Sequence, residues 1–231
     1  MQSPLPQTIP HASEAAARQW PDAPAVVEGD LTISFAELWD LSRAAASSLL
    51  ARGVKAGDRI AIWAPNRHEW IVAAIATMSI GAAVVTLNTR LKGREAGDIL
   101  RRTKARTLFT VSDFLGINYR ALIAEEDLPD LTETILFDID FANFLDGGKG
   151  SGDATVDVAL ANINADTVSD ILFTSGTTGS PKGVMMTHGR VLPQCAVWIG
   201  NTGLSFGERY LIANPFFHSF GMKVGWVACL L

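Results

Sequence analysis

The sequence predicts an α/β protein whose largely parallel sheets are flanked by helices, and three observations carry that prediction. Short apolar runs rich in β-branched residues recur at Arg59 to Trp63, 83–87, Thr107 to Val111 and Thr134 to Phe137. Segments of helical spacing lie between them, and strands alternating with helices in this way pair in parallel under a helical cover. Glycine and proline mark the changeovers, as at Pro21 to Pro24, Gly53, Gly57 and Gly81.

Taken in order, residues 10 to 20 form a helix with Pro10 early and an alanine-rich centre, ended by Pro21-Asp22-Ala23-Pro24. A short strand follows at Ala25 to Gly29. Ser34 with Glu37 three residues on is a capping-box signature, and the helix it opens runs towards Ala51 with Leu38, Leu41, Ala45 and Leu49 on one face. Gly53 and Gly57-Asp58 form the exit turn before the strand at Arg59 to Trp63. Ala64-Pro65-Asn66 is a turn, followed by a helix over 67–80, a strand over 83–87, a polar helix over 93–104 and a strand from Thr107 to Val111. Residues 112 to 132 are expected to hold a further helix with its loops, before the strand from Thr134 to Phe137. Asp146 to Asp153 (DGGKGSGD) reads as an exposed loop. No internal repeat or coiled-coil heptad is present.

Composition narrows the classes. With 231 residues, 48% hydrophobic and 19% charged, the chain can bury a sizeable core and is globular. A net charge of −5 and the absence of a basic run argue against a nucleic-acid partner. Cys195 and Cys229 lie in apolar stretches without metal-ligand spacing and read as buried free thiols in a reducing compartment. The N-terminus MQSPLPQTIP lacks the charged and apolar regions of a signal peptide, so a cytoplasmic location is expected. Trp70 to Leu87 runs 18 residues without a charge, which is long enough to raise a membrane span. Its composition instead favours a buried helix to Ile80, a break at Gly81 and a strand through Val84-Val85-Thr86, so no transmembrane span is expected.

The most informative stretch is Phe173 to His188, FTSGTTGSPKGVMMTH. Apolar runs on both sides, Ile171 to Phe173 and Val184 to Met186, make it a strand–loop–strand connection. Lys182 follows Pro181 and precedes Gly183, so the Walker A pattern fails, and neither the dinucleotide fingerprint nor a Gly-x-Ser-x-Gly elbow occurs. The residue types still point to phosphate. Gly176 and Gly179 let the backbone turn its N–H groups inward around an anion. Thr174, Ser175, Thr177 and Thr178 add hydroxyls, one of which can contact magnesium, and Lys182 adds a point charge. A plain tight turn needs neither four hydroxyls in five residues nor the Pro-Lys-Gly that follows.

Thr174 to Gly183, TSGTTGSPKG, resembles the phosphate-loop signature of the adenylate-forming (AMP-binding) superfamily, which includes acyl-CoA synthetases, adenylation domains and luciferases. Further segments resemble the same family in order: Pro21 to Val26, Ser34 to Leu38, Gly57 to Ile62, Gly81-Ala82, Leu87 to Leu91 and Asn214 to Gly221 (NPFFHSFG). The likeness covers residues 10 to 231. The resemblance implies an ATP-dependent acyl-CoA ligase, in which a carboxylic acid and ATP form an acyl-adenylate and CoA then takes the acyl group. It implies that Thr174, Ser175, Gly176, Thr177, Thr178, Gly179, Ser180, Pro181 and Lys182 hold the ATP phosphates, with Thr174 as the Mg2+ contact. It also implies catalytic roles for Lys182 and His218, with Phe217, His218, Phe220 and Gly221 lining the acyl pocket. Read alone, a histidine between aromatics is usually a satisfied core residue; its place in the motif assigns it to the site. His188 reads as structural, and His11 and His68 have no companions at ligand spacing.

The resemblance divides the chain into a first α/β subdomain (1–145), a loop or linker region (146–166) and the start of the ATP-binding part of the same large domain (167–231). Family members run to about twice this length. The apolar stretch Val224 to Leu231 has no polar cap, which reads as truncation within a helix and a missing C-terminal part. No stretch matches the family's later magnesium glutamate, its Tyr-x-Thr-Gly-Asp or its C-terminal lysine, so the 231-residue chain is expected to be inactive alone. A non-catalytic nucleotide-binding or scaffold relative, and an amino-acid adenylation domain, are the alternatives. Asn214 to Gly221 and the Leu87 to Arg90 segment look most like bacterial acyl-CoA ligases, including those acting on steroid-ring or other bulky catabolic acids.

Overall fold

The computed structural model describes residues 5–148, 153–174 and 181–231. Helix α1 (Ile9–Gln19) starts where the Thr8 hydroxyl accepts from the His11 N–H, with Pro10 in the first turn where no backbone bond is lost. Strands β1 (Pro24–Glu28) and β2 (Leu31–Ser34) form an antiparallel hairpin across Gly29. β2 escapes the sequence reading because it is only four residues long and ends on the capping residue itself. Ser34 Oγ accepts from Glu37 N–H at 3.2 Å, and Glu37 Oε2 accepts from Ser34 N–H at 2.8 Å. These reciprocal bonds open α2 (Phe35–Ala51). Ser34→Ala is therefore expected to lower stability by about 1 kcal/mol, read as a shift in a urea midpoint at constant slope.

The repeating units follow as β3 (Arg59–Trp63), α3 (His68–Ser79), β4 (Ala83–Thr86), α4 (Gly93–Thr103) and β5 (Thr107–Thr110). Every residue of α3 from Glu69 to Ser79 is buried, which explains why this stretch carries so little charge. Gly81, at φ 74°, ends it before β4, and a Cβ there would stand 3.1 Å from that of Ala56. Among the described residues no helix is long and apolar enough to cross a membrane.

Between 112 and 132 the expected helix shrinks to a single turn, α5 (Tyr119–Leu122). Leu115 and Gly116 both take left-handed φ, 55° and 79°, which breaks any helix before Asn118. Glu125, Glu126 and Asp127 then put negative charge where a helix C-terminus disfavours it. Strand β6 (Glu133–Leu136) and α6 (Phe141–Asp146) follow. The 146–166 stretch, expected as loop or linker, contains α7 (Asp153–Ala161), whose Val156 and Leu160, one turn apart, are both buried. The chain then forms β7 (Val168–Thr174), β8 (Lys182–Thr187), α8 (His188–Thr202) and the short α9 (Ser219–Gly221). A wide helical stretch, Met222–Val227, leaves helical geometry at Gly225.

Six strands make one sheet in the order β6-β5-β3-β4-β7-β8, with β8 antiparallel to β7 and the other neighbours parallel. The order determines where a site can form. The chain steps from β3 to β4 on one side, then crosses back to β5 on the other side of β3. Right-handed crossovers then place α3 and α4 on opposite faces, and the segments that follow the parallel strands β3, β4 and β7 all leave the sheet at its C-terminal edge.

Candidate functional site

Two segments converge on that edge of the sheet. The first is the β7–β8 hairpin. Thr174 and Lys182 are register partners at its loop end, and both are exposed. The strand–loop–strand arrangement expected from the flanking apolar runs is therefore present, and it puts a hydroxyl and an ammonium side by side. Thr174, Pro181 and Lys182 are described; Ser175, Gly176, Thr177, Thr178, Gly179 and Ser180 lie outside the described residues.

The second segment is Asn214 to Gly221, and the ends of β3 and β4 hold it. Asn66, just past β3, accepts from Phe216 N–H at 2.7 Å and donates from Nδ2 to the Asn214 carbonyl at 2.9 Å. Thr86, the last residue of β4, donates from Oγ1 to the Phe217 carbonyl at 2.9 Å. The Phe216 ring packs edge-on to Trp70 of α3 at 5.6 Å, so the core anchors what the two polar residues orient. Asn66 and Thr86 are site-building residues that sequence reasoning missed. Asn66 was legible only as a turn residue, and Thr86 only as a strand residue.

His218 is exposed, and its Nδ1 accepts from the Phe220 N–H at 3.2 Å. That bond assigns the ring proton to Nε2 and leaves Nε2–H as a donor on an exposed ring. Phe217 is half-buried, and Phe220, partly exposed, packs edge-on to Trp198 at 5.1 Å. Gly221 is buried against the same turn. A Cβ there would lie 2.2 Å from the Pro215 carbonyl oxygen and 2.6 Å from that of Asn214, so a side chain would push away the segment that carries His218.

An ion pair joins the two segments. Lys223 Nζ meets Asp170 Oδ2 at 3.0 Å, and the side chains are 7% and 0% exposed. Asp170 lies on β7 below Thr174, and Lys223 follows the His218 turn. Ser169 Oγ donates to Asp170 Oδ1 at 2.7 Å. Burial pushes the Asp170 carboxyl up, while Lys223 and the Ser169 bond pull it back. Neither residue was singled out from the sequence. The thiol of Cys195 donates to the Lys223 carbonyl, and burial pushes it up to about 12, which makes it inert; Cys229 is pushed up to about 11. Both cysteines are free.

The other histidines separate. His188 is fully buried, as a structural residue should be. His68, without companions in sequence, has them in space: its Nδ1 lies 2.7 Å from Glu28 and 3.1 Å from Glu69. Arg67 pairs with Glu69, and the His68 backbone N–H donates to Glu28, so hydrogen bonds through His68 fasten the β1–β2 hairpin to the start of α3.

Comparison with known proteins gives a consistent picture. The family model described as AMP-binding enzyme matches residues 13–231. The chain is 42% identical to the 3-[(3aS,4S,7aS)-7a-methyl-1,5-dioxo-octahydro-1H-inden-4-yl]propanoyl:CoA ligase of Mycobacterium tuberculosis (strain ATCC 25618 / H37Rv), over 97% of this chain and 45% of that protein. It is 38% identical to the ligase of the same name from Rhodococcus jostii (strain RHA1), over 98% of this chain and 46% of that protein. The chain thus spans about half the length of the curated relatives it matches. Among solved structures, the inhibitor-bound N-terminal domain of FACL13 from Mycobacterium tuberculosis superposes with a TM-score of 0.81 at 26% identity, over 97% of this chain and 55% of that one. The o-succinylbenzoate CoA synthetase (MenE) of Bacillus subtilis, in complex with its acyl-adenylate intermediate, superposes with a TM-score of 0.71 at 28% identity, over 95% and 53%.

Proposed function

The chain belongs to the AMP-binding enzyme family, and from that premise we propose that the protein is an ATP-dependent acyl-CoA ligase acting on a bulky alicyclic carboxylic acid. The observation that carries the proposal is the pairing of Thr174 with Lys182 at the end of β7, on the sheet edge where Asn66 and Thr86 hold the His218 turn. In the proposed reaction the acid's carboxylate oxygen attacks the α-phosphorus of ATP and pyrophosphate leaves. The thiol of CoA then attacks the acyl carbon and AMP leaves.

Charge grows on the α-phosphate and the departing pyrophosphate, so donors fixed beforehand lower the barrier most. Lys182 supplies such a charge from a strand end, and the stretch from Thr174 to Lys182 would be the part of the chain that holds the β- and γ-phosphates. Thr174 offers a hard hydroxyl oxygen of the kind that would hold Mg2+. When bound, the ion would offset charge on the leaving group. His218 Nε2–H would donate to the acid's carboxylate and orient it, with Phe217, Phe220 and Gly221 on the acyl side. The acid class follows from the bicyclic propanoyl substrate named for the two relatives at 42% and 38% identity. The free thiols of Cys195 and Cys229 suit a reducing, cytoplasmic setting.

The test is acid-dependent ATP–pyrophosphate exchange and acyl-CoA formation, measured in a chain covering the full length of the matched relatives. Bicyclic propanoates are expected to give the highest kcat/KM in a panel of fatty, aromatic and alicyclic acids. Lys182→Ala is expected to lower exchange about 100-fold without changing the melting temperature. No exchange with any acid would overturn the ligase reading, and exchange driven only by amino acids would replace it with amino-acid adenylation.

A further inference from the structure

Arg102, in the last turn of α4, lies outside both segments yet touches both arms of the hairpin near its loop end. Its Nη1 donates to the Pro181 carbonyl at 2.9 Å, and its guanidinium carbon sits 5.1 Å from the centre of the Phe173 ring. The same Nη1 reaches Asp98, one turn back on α4, at 3.2 Å. Phe173 immediately precedes Thr174, and Pro181 immediately precedes Lys182. One side chain from α4 therefore holds the residues adjoining both members of the Thr174–Lys182 pair.

We propose that Arg102 is a positioning residue for the phosphate-binding hairpin, clamping Phe173 and Pro181 so that Lys182 and Thr174 keep a set separation, an inference that rests on the hairpin being the ATP site. The chemistry explains the residue type. A guanidinium donates in its plane while its face lies on an aromatic ring, and an ammonium cannot do both in a fixed geometry. The location explains the need. β8 ends the sheet order, and its first four residues, Lys182 to Met185, are exposed, so β7 supports the start of β8 on one side only. Arg102 supplies a second support at the point where β8 begins. Its side chain is 41% exposed, which marks it as a surface clasp that the core does not depend on.

The experiment compares Arg102→Ala and Arg102→Lys with the wild-type protein, in the same full-length chain. Both variants should melt within a degree or two of wild type, as surface substitutions do. Arg102→Ala should raise the KM for ATP about tenfold while the KM for the acid stays within about twofold, since the clamp acts on the phosphate side alone. Arg102→Lys should fall close to Arg102→Ala, because it keeps the charge and loses the plane. Hydrogen exchange of the β7–β8 amides flanking the hairpin, measured without substrate, should quicken in both variants. Unchanged exchange in Arg102→Ala would overturn the inference whatever the kinetics show, as would a Lys variant indistinguishable from wild type. Absence of activity in the wild-type protein would instead strike the ligase reading, leaving the exchange result to decide whether Arg102 clamps the hairpin.

Discussion

Replacing Lys223 with methionine is expected to destabilise the protein by about 3–5 kcal/mol, because it strands the Asp170 carboxylate in the core without its counter-charge. Asp170 is fully buried on an interior strand, and apart from Ser169 its carboxylate is met only by Lys223 among the described residues. A salt bridge on the surface would be worth little; one broken in the interior costs the desolvation of the survivor. Adding Asp170→Asn to the Lys223→Met chain removes the stranded charge while keeping a partner for Ser169. The double variant should recover much of the loss, with a coupling of about 2 kcal/mol in a urea double-mutant cycle. Additive losses would show that the two residues act independently.

The pH dependence provides a second readout with a definite sign. Without Lys223, the folded Asp170 carboxyl rises further above its unfolded value, so the folded state binds the proton more tightly than the unfolded one. The deficit of Lys223→Met relative to wild type should therefore shrink as pH falls towards that raised value. A deficit independent of pH would mean that lost packing, and not lost charge, causes it.

This pair also shows what a sequence reveals and what it hides. Ser34 with Glu37, Gly81 and the hairpin flanks were legible because their chemistry is local: a cap, a positive φ, an apolar run on each side of a polar loop. The residue types of the site were legible for the same reason, since hydroxyls, glycines and a lysine packed into one loop have few other uses. Lys223 borders the apolar run that begins at Val224, and Asp170 stands just before Ile171-Leu172-Phe173. Neither has a periodicity that announces a buried charge, and each makes sense only opposite the other. Asn66, Thr86 and Arg102 share that property, because their partners lie at Asn214 to Phe217 and at Phe173 and Pro181. Residues 112 to 132 failed in the opposite way: helix-forming residues were present, but the left-handed backbone at Leu115 and Gly116 removed the first half of the helix.

His188 should make the protein lose stability on mild acidification. It stands at the start of α8, fully buried, and its Nδ1 accepts from the Ile9 N–H of α1 at 3.2 Å. The ring proton is therefore on Nε2, an atom with no hydrogen-bond partner among the described residues. A second proton would have to displace the Ile9 bond and bring a charge into the core. Burial first, and then the neighbouring His11, pull the imidazole down to about 4 from an ordinary 6.5. Above pH 6.5 both folded and unfolded states hold the ring neutral and nothing changes. Between 6.5 and about 4 only the unfolded state takes the proton, so stability falls with pH by up to about 1.4 kcal/mol per unit, or about 3 kcal/mol across the window. Carboxylates titrate over part of the same range, so the measurement is the difference between wild type and His188→Asn, whose Oδ1 can accept from Ile9 without titrating. That difference, taken from urea unfolding between pH 7 and 4, should turn steadily in favour of the asparagine variant as pH falls. A difference that stays flat would place the proton elsewhere.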